Sequence, residues 1–193
     1  MKRLIAVSAV LVVALTAPAA SAVKHNRIAM SAIGPLRLGM DQAAERKALR
    51  QLRPGSFRSY QDTDVKGGLV YREYSYYRGY GVDSYDVGFL GQRGHPRSMR
   101  VARIITFVAA DRTAVGAHVG TSEDSVRRMY RSAMHCGQII YGASRVVLYK
   151  PCPVGAASKR HIVVLLSRNV VDSVWKVDRI AVQEPGLKVP IVQ

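Results

Sequence analysis

The sequence contains few of the residues, and none of the motifs, on which common enzymes depend. Asp and Glu together number 13 among 193 residues. No G-x-S-x-G, H-E-x-x-H, P-loop or G-x-G-x-x-G pattern is present, and the five histidines occur singly, at His25, His95, His118, His135 and His161. These absences argue against the hydrolases, zinc proteases and nucleotide-binding enzymes that such motifs define. We expect a non-catalytic protein without a cofactor, with an enzyme of unrecognised type as an alternative.

The chain also lacks an apolar run long enough to span a membrane. Its longest, residues 4–17, has 14 residues, whereas a spanning helix needs roughly 20. Lys2 and Arg3 precede this run, and Ala20-Ser21-Ala22 follows with the small-x-small pattern of a cleavage site. This arrangement predicts a bacterial signal peptide over residues 1–22, the alternative being an uncleaved anchor. We therefore expect a secreted or periplasmic protein that begins near Val23 and is soluble after cleavage.

Cysteine is scarce, with only Cys136 and Cys152 present. In an exported chain, two cysteines most simply form one disulfide, here closing a loop just past a predicted helix. Two alternatives use the same residues. Cys136, next to His135, could be a thiol nucleophile, or both cysteines with His135 and His161 could bind zinc. Adjacent His-Cys ligands do not match the spacing of zinc motifs, so we expect the disulfide and no metal.

Acidic residues are outnumbered throughout the chain. Lys and Arg total 29, which gives a formal net charge of +16, and loss of Lys2 and Arg3 lowers it to +14. The excess is spread evenly over both halves and forms no basic arm. An evenly basic exported protein adheres to anionic envelope polymers in a salt-sensitive way. Such a polymer is therefore an alternative partner to another protein, and export makes nucleic acid an unlikely one.

Two segments of the chain follow one pattern. Residues 36–49 and 117–130 each contain a short alternating segment that ends in Gly, then a residue suited to helix N-capping, then a basic amphipathic run. The capping residues are Asp41 and Ser122. This pattern predicts helices at about 41–52 and 122–134.

Strand signals lie downstream of each predicted helix. Segments rich in Val, Ile and Tyr are bounded by turn residues and cover residues 69–77, 84–90, 101–106, 138–149, 161–167 and 172–182. Residues 101–106 (VARIIT) and 177–182 (VDRIAV) each place an Arg-Ile pair within a strand pattern. We therefore predict a two-layer α+β fold of two tandem repeats, each a helix followed by an antiparallel sheet. The first repeat covers 31–105, the second covers 106–183, and a tail covers 184–193.

The glycine-to-helix motif of each repeat resembles the tandem repeat of the β-lactamase inhibitory protein family, which is related to a unit in small lipoproteins of the outer-membrane assembly machinery. The resemblance covers roughly residues 31–183. It implies a concave, aromatic-rich face that binds an enzyme, and a hairpin that inserts an Asp into the enzyme's active site. Residues 78–89 are similar to that hairpin, with Asp83 at about the matching place and Tyr80 and Tyr85 beside it.

The candidate binding residues come from residues 71–86, YREYSYYRGYGVDSYD, which hold six of the ten tyrosines in a chain with three Phe and one Trp. Tyrosine with arginine is typical of binding hot spots. The alternative is that tyrosine simply has high strand propensity and that half of these rings pack against the helices. The predicted binding residues are Tyr71, Tyr74, Tyr76, Tyr77, Arg78, Tyr80, Asp83 and Tyr85.

Overall fold

The computed structural model describes residues 26–52, 56–65, 67–78, 83–142, 146–155 and 162–187. The predicted signal peptide and the end of the predicted C-terminal tail lie outside these ranges. In chain order the strands are β1 (Arg27–Ala29), β2 (Ala32–Ile33), β3 (Leu36–Arg37), β4 (Ser56–Val65), β5 (Leu69–Arg78), β6 (Asp83–Gln92), β7 (Arg100–Thr106), β8 (Arg112–Thr113), β9 (Ile140–Tyr141), β10 (Val147–Val154), β11 (Ile162–Asn169) and β12 (Lys176–Gln183). The helices are α1 (Gln42–Leu52) and α2 (Glu123–Tyr130). The fold is α+β, as predicted.

The strands form a large sheet of eight and a small sheet of four. The large sheet is antiparallel, in the order β4-β5-β6-β7-β12-β11-β10-β9, and the small sheet has the order β3-β2-β1-β8. Strands β4 to β7 therefore make one meander, strands β9 to β12 make a second, and the two join through β7 and β12. Thr106 pairs with Ile180 at this junction.

One face of the large sheet carries the main hydrophobic core. Val87, Ile104 and Ile180 from the sheet cluster with Leu49 of α1 and Val126 of α2. The small sheet adds Ile28, Ile33 and Leu36 to the same cluster. Both helices and the small sheet thus pack on this side of the large sheet, which we call the helix face.

Both helices begin where the capping residues predict. The Asp41 carboxylate accepts a hydrogen bond from the Ala44 amide at 2.8 Å, and the Ser122 hydroxyl accepts one from the Ser125 amide. Helix α2 ends at Tyr130, earlier than predicted, because Arg131 has a positive φ of 49° and a short 3-10 turn follows over Arg131–Ala133. The end of α2 was not predictable from the sequence, because the residue with positive φ is an arginine and not a glycine.

The glycine before each helix makes the same backbone contacts. Gly39 donates to the Val101 carbonyl at 2.7 Å, and Gly120 donates to the Val177 carbonyl at 2.8 Å. Both glycines have positive φ, 81° and 90°, a conformation that side chains disfavour. Val101 lies in β7 and Val177 in β12, so each glycine fixes its helix to the last strand of one meander.

Several strand boundaries differ from the prediction. The segment 138–149 contains β9 and the start of β10, and β12 begins at Lys176 because the segment before it, with Asp172, forms a turn. The Asp172 amide donates to the Asn169 carbonyl at 3.0 Å. Strand β4 was not predicted, because its sequence SFRSYQDTDV is mostly polar, as suits the edge of a sheet.

The predicted disulfide between Cys136 and Cys152 is confirmed. It joins the segment after α2 to strand β10, and Cys152 is fully buried in the main core. Because both thiols are consumed in this bond, neither is available as a nucleophile or a zinc ligand. In the part of the chain that the structure describes, no helix is long and apolar enough to cross a membrane.

Candidate binding surface on the large sheet

The tyrosines of β5 divide between the two faces of the sheet, because side chains alternate along a strand. Tyr74 and Tyr76 lie on the helix face and contact α1. The Tyr76 hydroxyl donates to Glu45 at 2.9 Å, and the Gln42 side-chain amide donates to the Tyr74 hydroxyl at 3.0 Å. The Tyr74 ring also meets Phe89 edge-on, with 5.6 Å between ring centroids. These two tyrosines therefore hold α1 against the sheet.

Tyr85, on β6, is also on the helix face and is buried. Its hydroxyl donates to Asp111 at 2.9 Å and accepts from the Asn26 side chain at 3.1 Å. The hydroxyl of Thr106 donates to the same Asp111 oxygen at 2.7 Å. Burial, with the negative charge of Asp111 beside it, raises the pKa of Tyr85. Tyr85 thus connects the N-terminal segment to the sheet.

The opposite side of the large sheet, which we call the open face, carries a buried polar cluster. Tyr71 is fully buried, its hydroxyl donates to Glu73, and the Arg103 guanidinium lies 5.4 Å from the centre of its ring. The Arg103 Nε donates to the Gln183 side chain at 3.1 Å, and an Arg103 nitrogen lies 4.0 Å from a Glu73 oxygen. These four residues, with Asp86, form what we call the Arg103 cluster.

A missing side chain makes room for this cluster. Gly88 is paired with Glu73 across β5 and β6 and with Arg103 across β6 and β7. A Cβ atom at Gly88 would overlap the hydroxyl and ring carbons of Tyr71. The Tyr71 ring therefore lies directly over the glycine, which lets a large side chain be fully buried on this face.

Asp86 is the most perturbed carboxyl on the open face. Burial raises the pKa of Asp86 to about 6, because the ionised form loses hydration. The negative charge of Glu73 acts in the same direction, whereas a hydrogen bond with Ser75 and the charge of Arg179 oppose it. Asp86 can therefore exchange its proton near neutral pH while remaining part of a hydrogen-bonded surface.

A second group on the open face is centred on Arg179. Its guanidinium lies 4.6 Å from the centre of the Phe107 ring and 5.6 Å from that of Tyr149, and its Nε bonds the Asp178 carboxylate at 2.5 Å. We call these four residues the Arg179 patch. Phe107 also packs on a small buried apolar cluster of Ile105, Val163 and Ala181. Among the described residues, only strand residues and Phe107 build this cluster, and neither helix contributes to it.

The remaining predicted residues lie at or beyond the end of the β5–β6 hairpin. Tyr77 is half-buried and follows the open-face alternation of Tyr71 and Glu73. Arg78 pairs with Asp83 through the backbone. Tyr80 and the side chains of Arg78 and Asp83 lie outside the described residues. The insertion of Asp83 into a partner stays a prediction.

Sequence reasoning did not single out Arg103, Arg179, Phe107 or Tyr149 as binding residues. A signal for the two arginines was present, because each precedes an isoleucine inside an otherwise apolar strand pattern, in residues 101–106 and 177–182. An arginine in such a strand must have a partner where it is buried. Phe107 and Tyr149 had no distinguishing pattern, since their role depends on strands that are distant in sequence.

Comparison with known proteins gives a fold and no family. No protein-family model matches the chain, and no curated protein matches it. Among solved structures, the crystal structure of the uncharacterized protein yfeY from Escherichia coli is similar, with a TM-score of 0.50 and 15% sequence identity. The match covers 83% of this chain and 100% of that one. At this identity the likeness shows a shared fold alone.

Proposed function

We propose that this chain is an exported, non-catalytic binding protein that recognises another protein through the open face and the hairpin at 71–89. The observation that carries the proposal is the Arg179 patch, where the arginine lies 4.6 and 5.6 Å from the centres of two aromatic rings on the side of the sheet opposite both helices. Arginine and aromatic residues dominate the energy of protein interfaces. The disulfide is compatible with export, since such bonds persist in oxidising compartments.

In this proposal the two groups on the open face have different roles. Arg103 is 1% exposed, so it does not contact a partner itself. It fixes the positions of Glu73, Gln183 and the Tyr71 ring. Arg179 and Tyr149 are only partly buried, so a partner can bury them further. A partner carboxylate or aromatic ring would meet an arginine whose position is already fixed by Asp178, which limits the entropy lost on binding.

We further propose that the chain contains two tandem repeats of one α+β unit. The matching hydrogen bonds of Gly39 and Gly120 support this, as does the mirrored order of the two meanders about β7 and β12. Arg103 and Arg179 then hold corresponding places on the open face. With the resemblance to the β-lactamase inhibitory protein family, this arrangement favours an enzyme as the partner and inhibition as the outcome of binding.

Affinity capture from the envelope and culture medium of the source cell tests the proposal. Complexes are washed at about 50 mM and then about 500 mM salt, because screening removes weak charge attraction between exposed groups. We expect one stoichiometric protein to survive the second wash. Arg179→Ala should weaken its binding by about 2 kcal/mol, as hot-spot truncations do. Arg50→Ala, which removes the same charge from the exposed side of α1, is the matched control and should have little effect.

The second candidate function is binding of an acidic envelope polymer. It is favoured by a hollow of about 460 Å³ beside the start of α1, where Arg46, Arg97 and Arg100 gather around Gln42 and the capping Asp41. A polymer held by these arginines would be released at the second wash. Arg46→Glu would then reduce capture strongly, while Arg179→Ala would not, and this result would replace protein recognition as the function.

A further inference from the structure

The exposed apolar residues of this protein are concentrated at one end of the large sheet. Among the described residues, ten large apolar side chains are exposed, and seven of them lie in β9, directly before β9 or β10, or in the β11–β12 connection. We call these seven the apolar tip: Ile139, Ile140, Tyr141, Val146, Val170, Val171 and Val174. Single exposed apolar residues are ordinary, whereas large exposed apolar patches mark interaction sites.

The β11–β12 connection is joined to the start of β10. The Val170 amide donates to the Val146 carbonyl at 2.9 Å, which places the start of β10 beside the β11–β12 turn. Two hydrogen bonds close the β11–β12 turn. The Asp172 amide donates to the Asn169 carbonyl, and the Asn169 side chain donates to the Asp172 carboxylate at 3.1 Å. These hydrogen bonds therefore hold the backbone around Val146, Val170 and Val171 in place.

The residue types in the β11–β12 turn are unusual for a turn. Turns favour Gly, Asn, Asp, Ser and Pro, each for a conformational reason. Here the turn after β11 holds Val170 and Val171, which are 45% and 88% exposed. Valine has no conformational advantage in such a turn, and Val171, at 88% exposure, gains little from packing within the chain.

Aromatic and basic side chains lie next to the aliphatic residues of the apolar tip. Trp175, the only tryptophan in the chain, follows Val174 and is partly buried against the main core, and Tyr141 is 67% exposed. The ammonium group of Lys150 lies 4.4 Å from the centre of the Trp175 ring, and the guanidinium of Arg168 lies 5.1 Å from it. Tryptophan and tyrosine concentrate at membrane–water boundaries, where lysine and arginine extend toward the headgroups.

Charge decides which kind of surface this tip fits. Helix α2, which begins beside Trp175, exposes Arg127 and Arg128, and the processed chain carries a formal charge of +14. A second copy of a protein so basic would be repelled, whereas an anionic bilayer would attract it. Lys150 and Arg127 are both paired with Glu123 at 2.7 Å, so the attraction comes from Arg128 and the overall charge.

We propose that the apolar tip inserts into the surface of a bilayer rich in anionic lipid, with Trp175 at the boundary between headgroups and water. The aliphatic side chains enter the outer part of the hydrocarbon region, and Arg128 of α2 contacts lipid phosphates. This contact holds the protein on a membrane surface without a spanning segment or a lipid anchor. The Arg103 cluster is formed by other side chains, whereas Tyr149 and Asp178 of the Arg179 patch line a hollow together with Val174 of the tip.

Fluorescence of Trp175 tests the proposal without any added label. Protein purified after export is titrated with vesicles of phosphatidylcholine alone, or of equal parts phosphatidylcholine and phosphatidylglycerol. With the anionic vesicles we expect a blue shift of the emission and protection from iodide quenching. The double variant Val171→Ser and Val174→Ser should lower the partition coefficient about tenfold, because two buried apolar side chains are lost. The double variant Met30→Ser and Val115→Ser, which removes exposed apolar residues outside the tip, should bind as the wild type does.

Three results would overturn the proposal. The first is an unchanged Trp175 spectrum with anionic vesicles, which would leave the tip to a protein partner. The second is equal partition into both vesicle types, which would remove the role of charge. The third is an equal loss of binding in the two double variants, which would show that the location of the tip does not matter. All four substitutions are at exposed positions, so circular dichroism should show an unchanged fold.

Discussion

Substitution of Gly88 by Ala is the sharpest test of how the open face is built. The added Cβ would overlap the Tyr71 hydroxyl and ring, and Tyr71 is fully buried between Arg103 and the sheet. Overpacking of this kind costs about 1–3 kcal/mol. Displacing the ring also strains its hydrogen bond to Glu73, a bond to a charged group that contributes about 1.5–3 kcal/mol. Because the ring can shift partway, we expect a total loss of about 2–4 kcal/mol in the free energy of unfolding.

Urea unfolding followed by circular dichroism measures this loss. Gly137→Ala is the matched control, because a Cβ at Gly137 would meet Pro151 at an ordinary 3.6 Å. Its effect should stay within about 0.5 kcal/mol, as for most surface substitutions. In a Tyr71→Leu background, where the ring is absent, the penalty of Gly88→Ala should fall to well under half. An equal penalty with and without the ring would refute the account of the Arg103 cluster.

Three further predictions concern charge and covalent structure. Asp86→Asn should stabilise the protein at pH 8 and not at pH 4. Folding raises the pKa of Asp86 to about 6. The contribution of the native carboxyl to stability is therefore present below pH 4 and is lost as the pH rises through 6. The gain from removing it, up to about 3 kcal/mol, is read from paired urea curves at both pH values, and a pH-independent difference would contradict the assignment. Tyr76→Phe should lower the free energy of unfolding by about 1–3 kcal/mol at pH 7, because buried Glu45 loses its hydrogen-bond donor. The loss should be smaller at pH 4, where the carboxyl is protonated. Equal losses at the two pH values would argue against a charged Glu45. Reduction of the Cys136–Cys152 bond should lower the free energy of unfolding by about 3 kcal/mol, measured with and without dithiothreitol, and free thiols in the untreated protein would disprove the bond.

The parts of the fold that were predictable depend on local chemistry. Asp41 and Ser122 accept hydrogen bonds from amides three residues later, so the signal for each helix start lies within a few residues of sequence. The strands β5, β6 and β7 were predictable for the same reason, because Val, Ile and Tyr suit a pleated surface. Strand β4 escaped because it is a polar edge, whose strand conformation depends on pairing with β5.

The candidate site was only partly predictable, because burial is decided by tertiary pairing. The tyrosine-rich segment forms parts of β5 and β6 in the large sheet, but Tyr74, Tyr76 and Tyr85 serve packing on the helix face. Which face the helices cover cannot be read from the alternation of one strand. Arg179 meets Phe107 and Tyr149 only because β12 pairs with both β7 and β11 and β11 pairs with β10, and such pairings leave no mark in a short window.

Titration calorimetry of the captured protein against open-face variants tests the central claim most directly. Two double variants are compared: Phe107→Ala with Arg179→Ala on the open face, and Lys47→Ala with Arg50→Ala on the exposed side of α1. If the open face is the binding surface, the first pair weakens binding at least about 30-fold, the equivalent of 2 kcal/mol, and the second changes it less than about threefold. If the α1 pair has the larger effect, the binding surface lies on the other side of the sheet and the account is wrong.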